Sequence, residues 1–218
     1  MRIIARFEKG TSVRFVSHLD ILRLFQRAFR RADIPLAYSQ GFNPHPLLAF
    51  ATALPVGYSS SAEWLDLTLS DDMLPDVFMQ RVNPSLPDGF KLLEAVVAPE
   101  RYPSLSAVMA AADYTVTFDA DRPSQEQLMQ LMSGEIVVQK RTKGGIKAVD
   151  IRPQLLGLRL SPDDERTLYI TGALTASGSL SLDLLFCYLF QTAQKRAYQV
   201  HRDAIRSTDG VVMPQYLG

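Results

Sequence analysis

Ser17-His18-Leu19-Asp20-Ile21-Leu22-Arg23-Leu24-Phe25-Gln26-Arg27-Ala28-Phe29-Arg30-Arg31-Ala32 is the stretch from which the rest of the chain is best read. Leu22, Phe25, Phe29 and Ala32 recur at helical spacing, with Leu19, Ile21 and Ala28 beside them. Ser17 stands three residues before Asp20, a helix start in which the carboxylate also complements the dipole. Ala32-Asp33-Ile34-Pro35 ends the helix. Arg23, Arg27 and Arg31 repeat every four residues on the opposite face, and Arg30 joins them.

Outward from this helix the pattern alternates between strands and helices. Residues 2–8, with Ile3, Ile4 and Phe7, predict a strand before it. After it come strands over 47–54 and 63–69, a helix over 73–82 and a strand over 90–97. Strand, helix, strand, strand, helix, strand is the order of a ferredoxin-like, split βαβ unit. Residues 99–112 mix prolines with an Ala-rich run and predict a boundary. A strand over 114–118 and a helix over 125–132 follow, then strands over 136–140, 155–160 and 167–174 and a helix over 180–192. The final strand is missing from this pattern. The expectation is an α+β chain of two tandem ferredoxin-like halves, 1–100 and 113–218.

Composition narrows the chemistry. One cysteine, Cys187, excludes a disulfide within the chain and a cysteine-held iron–sulfur cluster. It lies in the apolar run 184–190, which predicts a small core residue. The three histidines, His18, His45 and His201, have no metal-site spacing, so no metal and no cofactor is expected. The amino-terminal residues do not form a signal peptide, and no apolar run reaches the ~20 residues of a membrane span. A cytoplasmic protein is expected.

The net charge of zero conceals blocks. Residues 1–50 carry eight Lys/Arg against three Asp/Glu, and 136–160 carry six against one. Between them, 51–135 carry four against thirteen. Such blocks predict a local electrostatic footprint. Three features fit it. The first is the arginine row, suited to phosphates; the plain alternative is a solvated face paired with nearby acids. The second is the loop 38–46, stiffened by Pro44 and Pro46. It offers Tyr38, Phe42 and His45 as rings and Gln40 and Asn43 as amides, as single-stranded RNA sites do. The alternative for Phe42 is a plug in the core. The third is the basic glycine hairpin with Lys140, Arg141, Lys143 and Lys147, which is not a phosphate-binding Walker loop. Asp150 and Arg152 are expected to pair and fix its base.

The run Arg14 to Asp20, continuing through Arg27 to Ala32 and Pro35 to Pro46, resembles a bacterial family. These are the radical-SAM-linked proteins, encoded beside or fused to a B12-binding-type radical SAM protein. Lys143, Lys147 and Val149-Asp150-Ile151-Arg152-Pro153 resemble that family's second block. The resemblance implies a radical SAM partner and supplies no catalytic residues. A looser likeness of fold points to the CRISPR-type RNA-processing endonucleases. The function expected first is an accessory RNA-binding module that presents substrate to the radical SAM partner. The alternatives are a protein-interaction module without RNA, and a metal-independent RNA endonuclease using His18 or His45.

Overall fold

In the computed structural model of the chain, residues 1–99, 101–120, 122–142, 145–175, 178–191, 198–211 and 213 are described. The amino-terminal elements are β1 (Arg2–Lys9), α1 (His18–Arg31), β2 (Leu48–Phe50), β3 (Tyr58–Thr68), α2 (Pro75–Val82) and β4 (Phe90–Val97). A short α3 (Leu105–Val108) leads into β5 (Met109–Phe118), α4 (Gln125–Ser133), β6 (Val137–Thr142) and β7 (Gly145–Asp150). The rest is β8 (Leu155–Leu160), β9 (Thr167–Thr175), β10 (Gly178–Ser179), α5 (Leu182–Phe190) and β11 (Tyr198–Ser207). No helix among the described residues is long and apolar enough to cross a membrane.

The α+β class holds. The strands form one nine-stranded sheet, with the β6–β7 hairpin standing apart as a two-stranded sheet. At the amino-terminal end the order is β4-β1-β3-β2, every pairing antiparallel. At the other end it is β8-β9-β5-β11, again antiparallel throughout. The two runs join where β11 pairs parallel with β3, Val200 beside Tyr58 and Arg202 beside Ser60. β2 is shorter than expected. It and β11 occupy the same edge of the long β3, at opposite ends.

Alternation assigns the two sides of this sheet. Ile3, Ala5, Phe7 and Lys9 share one side of β1, and Ile4 lies on the other. Phe7 pairs with Glu63 but Lys9 with Ser60, so β3 holds an extra residue there. That bulge turns Ser60 to the side of Glu63, Leu65 and Leu67. β11 and β5 carry the side onward, Arg202 opposite Ser60 and Tyr114 opposite Arg202.

Packing agrees with the register. Ile21, Phe25 and Phe29 of α1 and Phe78 and Val82 of α2 bury against Ile3, Phe7, Leu65 and Leu67. Phe186 of α5 meets Phe118 of β5 edge-on, their rings 5.5 Å apart. α4 buries Leu128 and Leu131 in the same cluster as Ile170 and Leu168. All four longer helices therefore cover one side, here called the first face. On the second face Ile4 and Trp64 are buried, and Arg2 donates to the carbonyls of Tyr102 and Pro103 in the segment before α3.

One expectation fails inside α5. Leu182, Leu185, Phe186 and Leu189 form its inner stripe, which turns Cys187 outward; the cysteine is exposed and not a core residue.

Candidate functional site

The start of α1 is built as the sequence predicts. Ser17 Oγ accepts from the Asp20 backbone N–H at 3.3 Å and donates to the Asp20 carboxylate at 2.7 Å. With Phe25, Ala28 and Phe29 facing the sheet, Arg23, Arg27, Arg30 and Arg31 all point to solvent. Arg23 makes an exposed ion pair with Asp20 at 3.5 Å, and Arg31 donates to the Ser85 carbonyl at 2.5 Å. Arg27 and Arg30 have no partner among the described residues. Of the four arginines, Arg23 alone is paired with an acid among the described residues.

The loop 38–46 closes on itself. Tyr38 and Pro46 form an isolated antiparallel bridge, and Ser39 N–H donates to the His45 carbonyl at 2.9 Å. Ser39 Oγ accepts from His45 N–H at 3.1 Å and lies 2.8 Å from His45 Nδ1. This clamp leaves Gln40, Phe42 and Asn43 at an exposed tip. Phe42 is fully exposed and Tyr38 is 48% exposed, so neither plugs the core. His45 shares a pocket of about 330 Å³ with Arg2, Asp66 and Thr68, at the edge of the second face. The loop histidine and the helix arginines therefore open in different directions. His18 is elsewhere again, edge-on to Phe50 with ring centroids 5.4 Å apart.

In the third feature, Lys140, Arg141 and Lys147 are exposed on the β6–β7 hairpin, paired Lys140 to Lys147. Lys143 lies outside the described residues. Asp150 and Arg152 fix the hairpin base through backbone groups. The Asp150 carboxylate accepts from the Ile136 and Arg152 N–H groups, each at 2.9 Å. The Arg152 guanidinium donates to the carbonyls of Met132, at 2.8 Å, and Leu155, at 2.9 Å. Tyr188 of α5 donates to the Glu135 carbonyl, which ties the hairpin's approach to the helical side.

The second face carries a further set of polar groups on β3, β5, β8, β9 and β11. His201 lies between two serines, Nδ1 2.9 Å from Ser59 Oγ and Nε2 3.1 Å from Ser61 Oγ. Asp113, Asp203, Arg159, Tyr169, Thr171 and Arg206 line a pocket of about 400 Å³.

The sequence matches a family described as an uncharacterized protein conserved in bacteria, DUF2344, over residues 2–182. The chain belongs to the DUF2344 family. No curated protein matches it. Among solved structures, the DUF2344 chain is similar to a chain of a Cbf5-Nop10-Gar1 complex, with a TM-score of 0.48 at 9% identity over 95% of its own length. It is also similar to a chain of an H/ACA ribonucleoprotein bound to a substrate RNA containing 2'-deoxyuridine, with a TM-score of 0.47 at 8% identity over 99%. It spans about half the length of those chains, 49% and 50% respectively.

Sequence reasoning misses the second-face groups of this DUF2344 chain because it does not find β11 as a strand. The signal is present in Thr115-Val116-Thr117 and Tyr169-Ile170-Thr171, where polar residues alternate with buried apolar ones. Such alternation marks a strand with one wet face.

Proposed function

We propose that the chain is an accessory RNA-binding module of the cytoplasm that presents RNA to a radical SAM partner enzyme. The observation that carries this reading is the outward row Arg23, Arg27, Arg30 and Arg31, whose two central members have no counter-charge among the described residues. An unneutralised arginine row attracts phosphates and forms bidentate contacts with them. The exposed rings of Phe42 and Tyr38 add stacking surfaces that tolerate any base. Gln40, Asn43 and His45 supply edge contacts, and Lys140, Arg141 and Lys147 a second cationic strip, to which the sequence adds the charge of Lys143. The partner enters from the family resemblance alone. We read residues 1–100 and 113–218 as two ferredoxin-like units fused through the β3–β11 pairing.

The test is a gel-shift titration of single-stranded RNA at several salt concentrations. Wild type is expected to bind with a steep salt dependence, and Arg27→Glu with Arg30→Glu to weaken binding about tenfold or more and flatten the salt slope by roughly two. No binding at low salt, or binding indifferent to the reversal, overturns the reading.

One observation favours the second reading, docking on the partner protein without RNA. Phe15, just before α1, and Leu19, in its first turn, are 67% and 62% exposed, apolar side chains suited to a protein surface. Co-purification with the partner that survives nuclease and is lost in Leu19→Asp selects that reading.

A further inference from the structure

Where β8, β9, β5 and β11 run side by side, the second face is open over Asp113 and Thr171 and forms the pocket of about 400 Å³. Its floor is satisfied internally. Thr171 Oγ1 donates to Asp113 Oδ1 at 2.8 Å. Arg206 donates to Asp113 Oδ2 through Nε at 2.8 Å and Nη2 at 2.6 Å. That carboxylate is saturated and its charge balanced.

Two other charged groups on the same pocket are not. Among the described residues, Arg159 has only the Tyr169 ring beneath it, 4.3 Å from its Cζ to the centroid. Asp203 accepts the Thr115 hydroxyl at 2.8 Å and has no cation within ion-pair distance among the described residues. Opposite charges on a solvated sheet face ordinarily pair across strands, as Arg206 and Asp113 do here on a diagonal. The free cation and the free anion instead stand on the same pocket with space between them.

The backbone around Asp203 is also irregular. Arg202 pairs with Tyr114 and Ala204 with Asp113, so Asp203 is the extra residue of a bulge. A bulge re-aims the side chain of its inserted residue, and here it aims a carboxylate into the pocket. Loss of water around that carboxyl raises its pKa above the ordinary value, against the opposing pull of the Thr115 hydroxyl and His201.

A ligand matching this pocket gives donors to Asp203 and in-plane acceptors to Arg159, whose guanidinium lies over the Tyr169 ring. We infer that the pocket takes one unstacked guanine base. Guanine presents N1–H and N2–H donors together on one edge, matching two carboxylate oxygens. It presents N7 and O6 on the next edge, matching the guanidinium fork. In single-stranded RNA sites unstacked bases are hydrogen-bonded on these two edges. The volume falls within the range of small-molecule pockets. The base can arrive as a free guanine nucleotide or within an RNA strand; only the second source rests on the RNA reading above.

The test is calorimetric titration of the full chain with GMP, AMP, CMP and UMP, and with a single-stranded oligoribonucleotide carrying one central G or A. The variants are Asp203→Asn, which keeps the shape but turns an acceptor into a donor, Arg159→Ala, and the α1 reversal Arg27→Glu with Arg30→Glu. Unchanged circular dichroism melting checks that each is folded. GMP is expected to bind about tenfold tighter than AMP, the preference vanishing in Asp203→Asn and Arg159→Ala and surviving the α1 reversal. A G preference seen only in the oligonucleotide, and lost in the same two variants, assigns the base to RNA. If neither probe prefers guanine, or the preference survives both pocket substitutions, the inference is overturned. Oligonucleotide binding that needs the α1 arginines but ignores the base overturns it while sparing the RNA reading. GMP binding without any RNA binding does the reverse.

Discussion

Replacing Glu63 with glutamine should be among the most damaging single changes in this chain. Glu63 accepts from Arg202 at 2.8 Å where the two side chains are 5% and 2% exposed. Lys9, with no exposed surface, lies near the same carboxylate and donates to the carbonyls of Arg14 at 2.8 Å and Val16 at 3.1 Å. One buried anion thus faces two buried cations, at the seam where β11 joins β3. At an effective dielectric of ~20, unit charges this close attract by about 6 kcal/mol. The glutamine amide would still accept a hydrogen bond worth about 1 kcal/mol, which leaves a cost of about 3–5 kcal/mol for the orphaned cations. Against a total stability of about 5–15 kcal/mol, that is a large fraction. In urea unfolding followed by circular dichroism, the midpoint should fall by roughly 1–2 M at unchanged slope. Adding Arg202→Met removes one orphan and should restore about 1–3 kcal/mol. The sign with pH follows from Lys9, whose pKa burial lowers while Glu63 holds it up. A buried lysine with a depressed pKa destabilises fully below its folded value, and the penalty fades as pH rises towards the ordinary lysine value. The gap between Glu63→Gln and wild type should therefore narrow from pH 7 to pH 10. A midpoint shift worth less than about 1 kcal/mol, or an Arg202→Met change that adds to the loss, would refute the reasoning.

Three further outcomes are expected. Gly172→Ala puts a Cβ 2.7 Å from Leu180 Cδ2 and 2.9 Å from its Cβ, so thermal unfolding should show a loss of about 1–3 kcal/mol from overpacking. Phe42→Ala should leave the melting temperature within the scatter of surface substitutions, about 0.5 kcal/mol, yet weaken RNA binding by about 1–3 kcal/mol; a large stability loss would contradict its exposure. Tyr58 and Tyr198 have pKa values raised chiefly by burial, Tyr198 also through its 2.6 Å hydrogen bond to Asp183. Raised tyrosine values mean stability lost as pH climbs above the ordinary value of about 10, so Tyr58→Phe with Tyr198→Phe should flatten the alkaline limb of a stability–pH profile.

The elements written in apolar periodicity were legible in the sequence. β4, β8, β9 and α4 lie within a residue or two of their expected bounds, because period 2 and period 3.6 are unmixed there. What was lost is where polar residues do buried work. Tyr58-Ser59-Ser60-Ser61-Ala62 falls outside the expected strands, yet it belongs to β3 at the centre of the sheet: Ser60 Oγ donates to the Arg202 carbonyl at 3.2 Å and accepts from the Ala62 N–H at 3.0 Å. Tyr198–Ser207 hides its strand because its inward residue is an arginine and a bulge shifts the alternation after it. The arginine row and the loop tip were legible as features because both are local. The pocket on the second face was not, since it takes residues from four strands whose pairing no local pattern encodes.

That same bulge separates structural from functional roles for Asp203. Removing Asp203 outright leaves every register pair around it in place, Arg202 with Tyr114, Ala204 with Asp113 and Ile205 with Ala112. The ladder becomes regular, and Arg202 and Ile205 keep their buried side because each still lies opposite the same β5 residue. A bulge kept only to shape the sheet should therefore reveal itself as lost stability on deletion, with binding falling in proportion to the unfolded fraction. A bulge kept to aim a carboxylate should instead give a deletion variant that melts close to wild type and no longer prefers GMP over AMP. Calorimetry on the folded fraction distinguishes the two, and preference retained in a folded deletion variant would remove Asp203 from the pocket's chemistry.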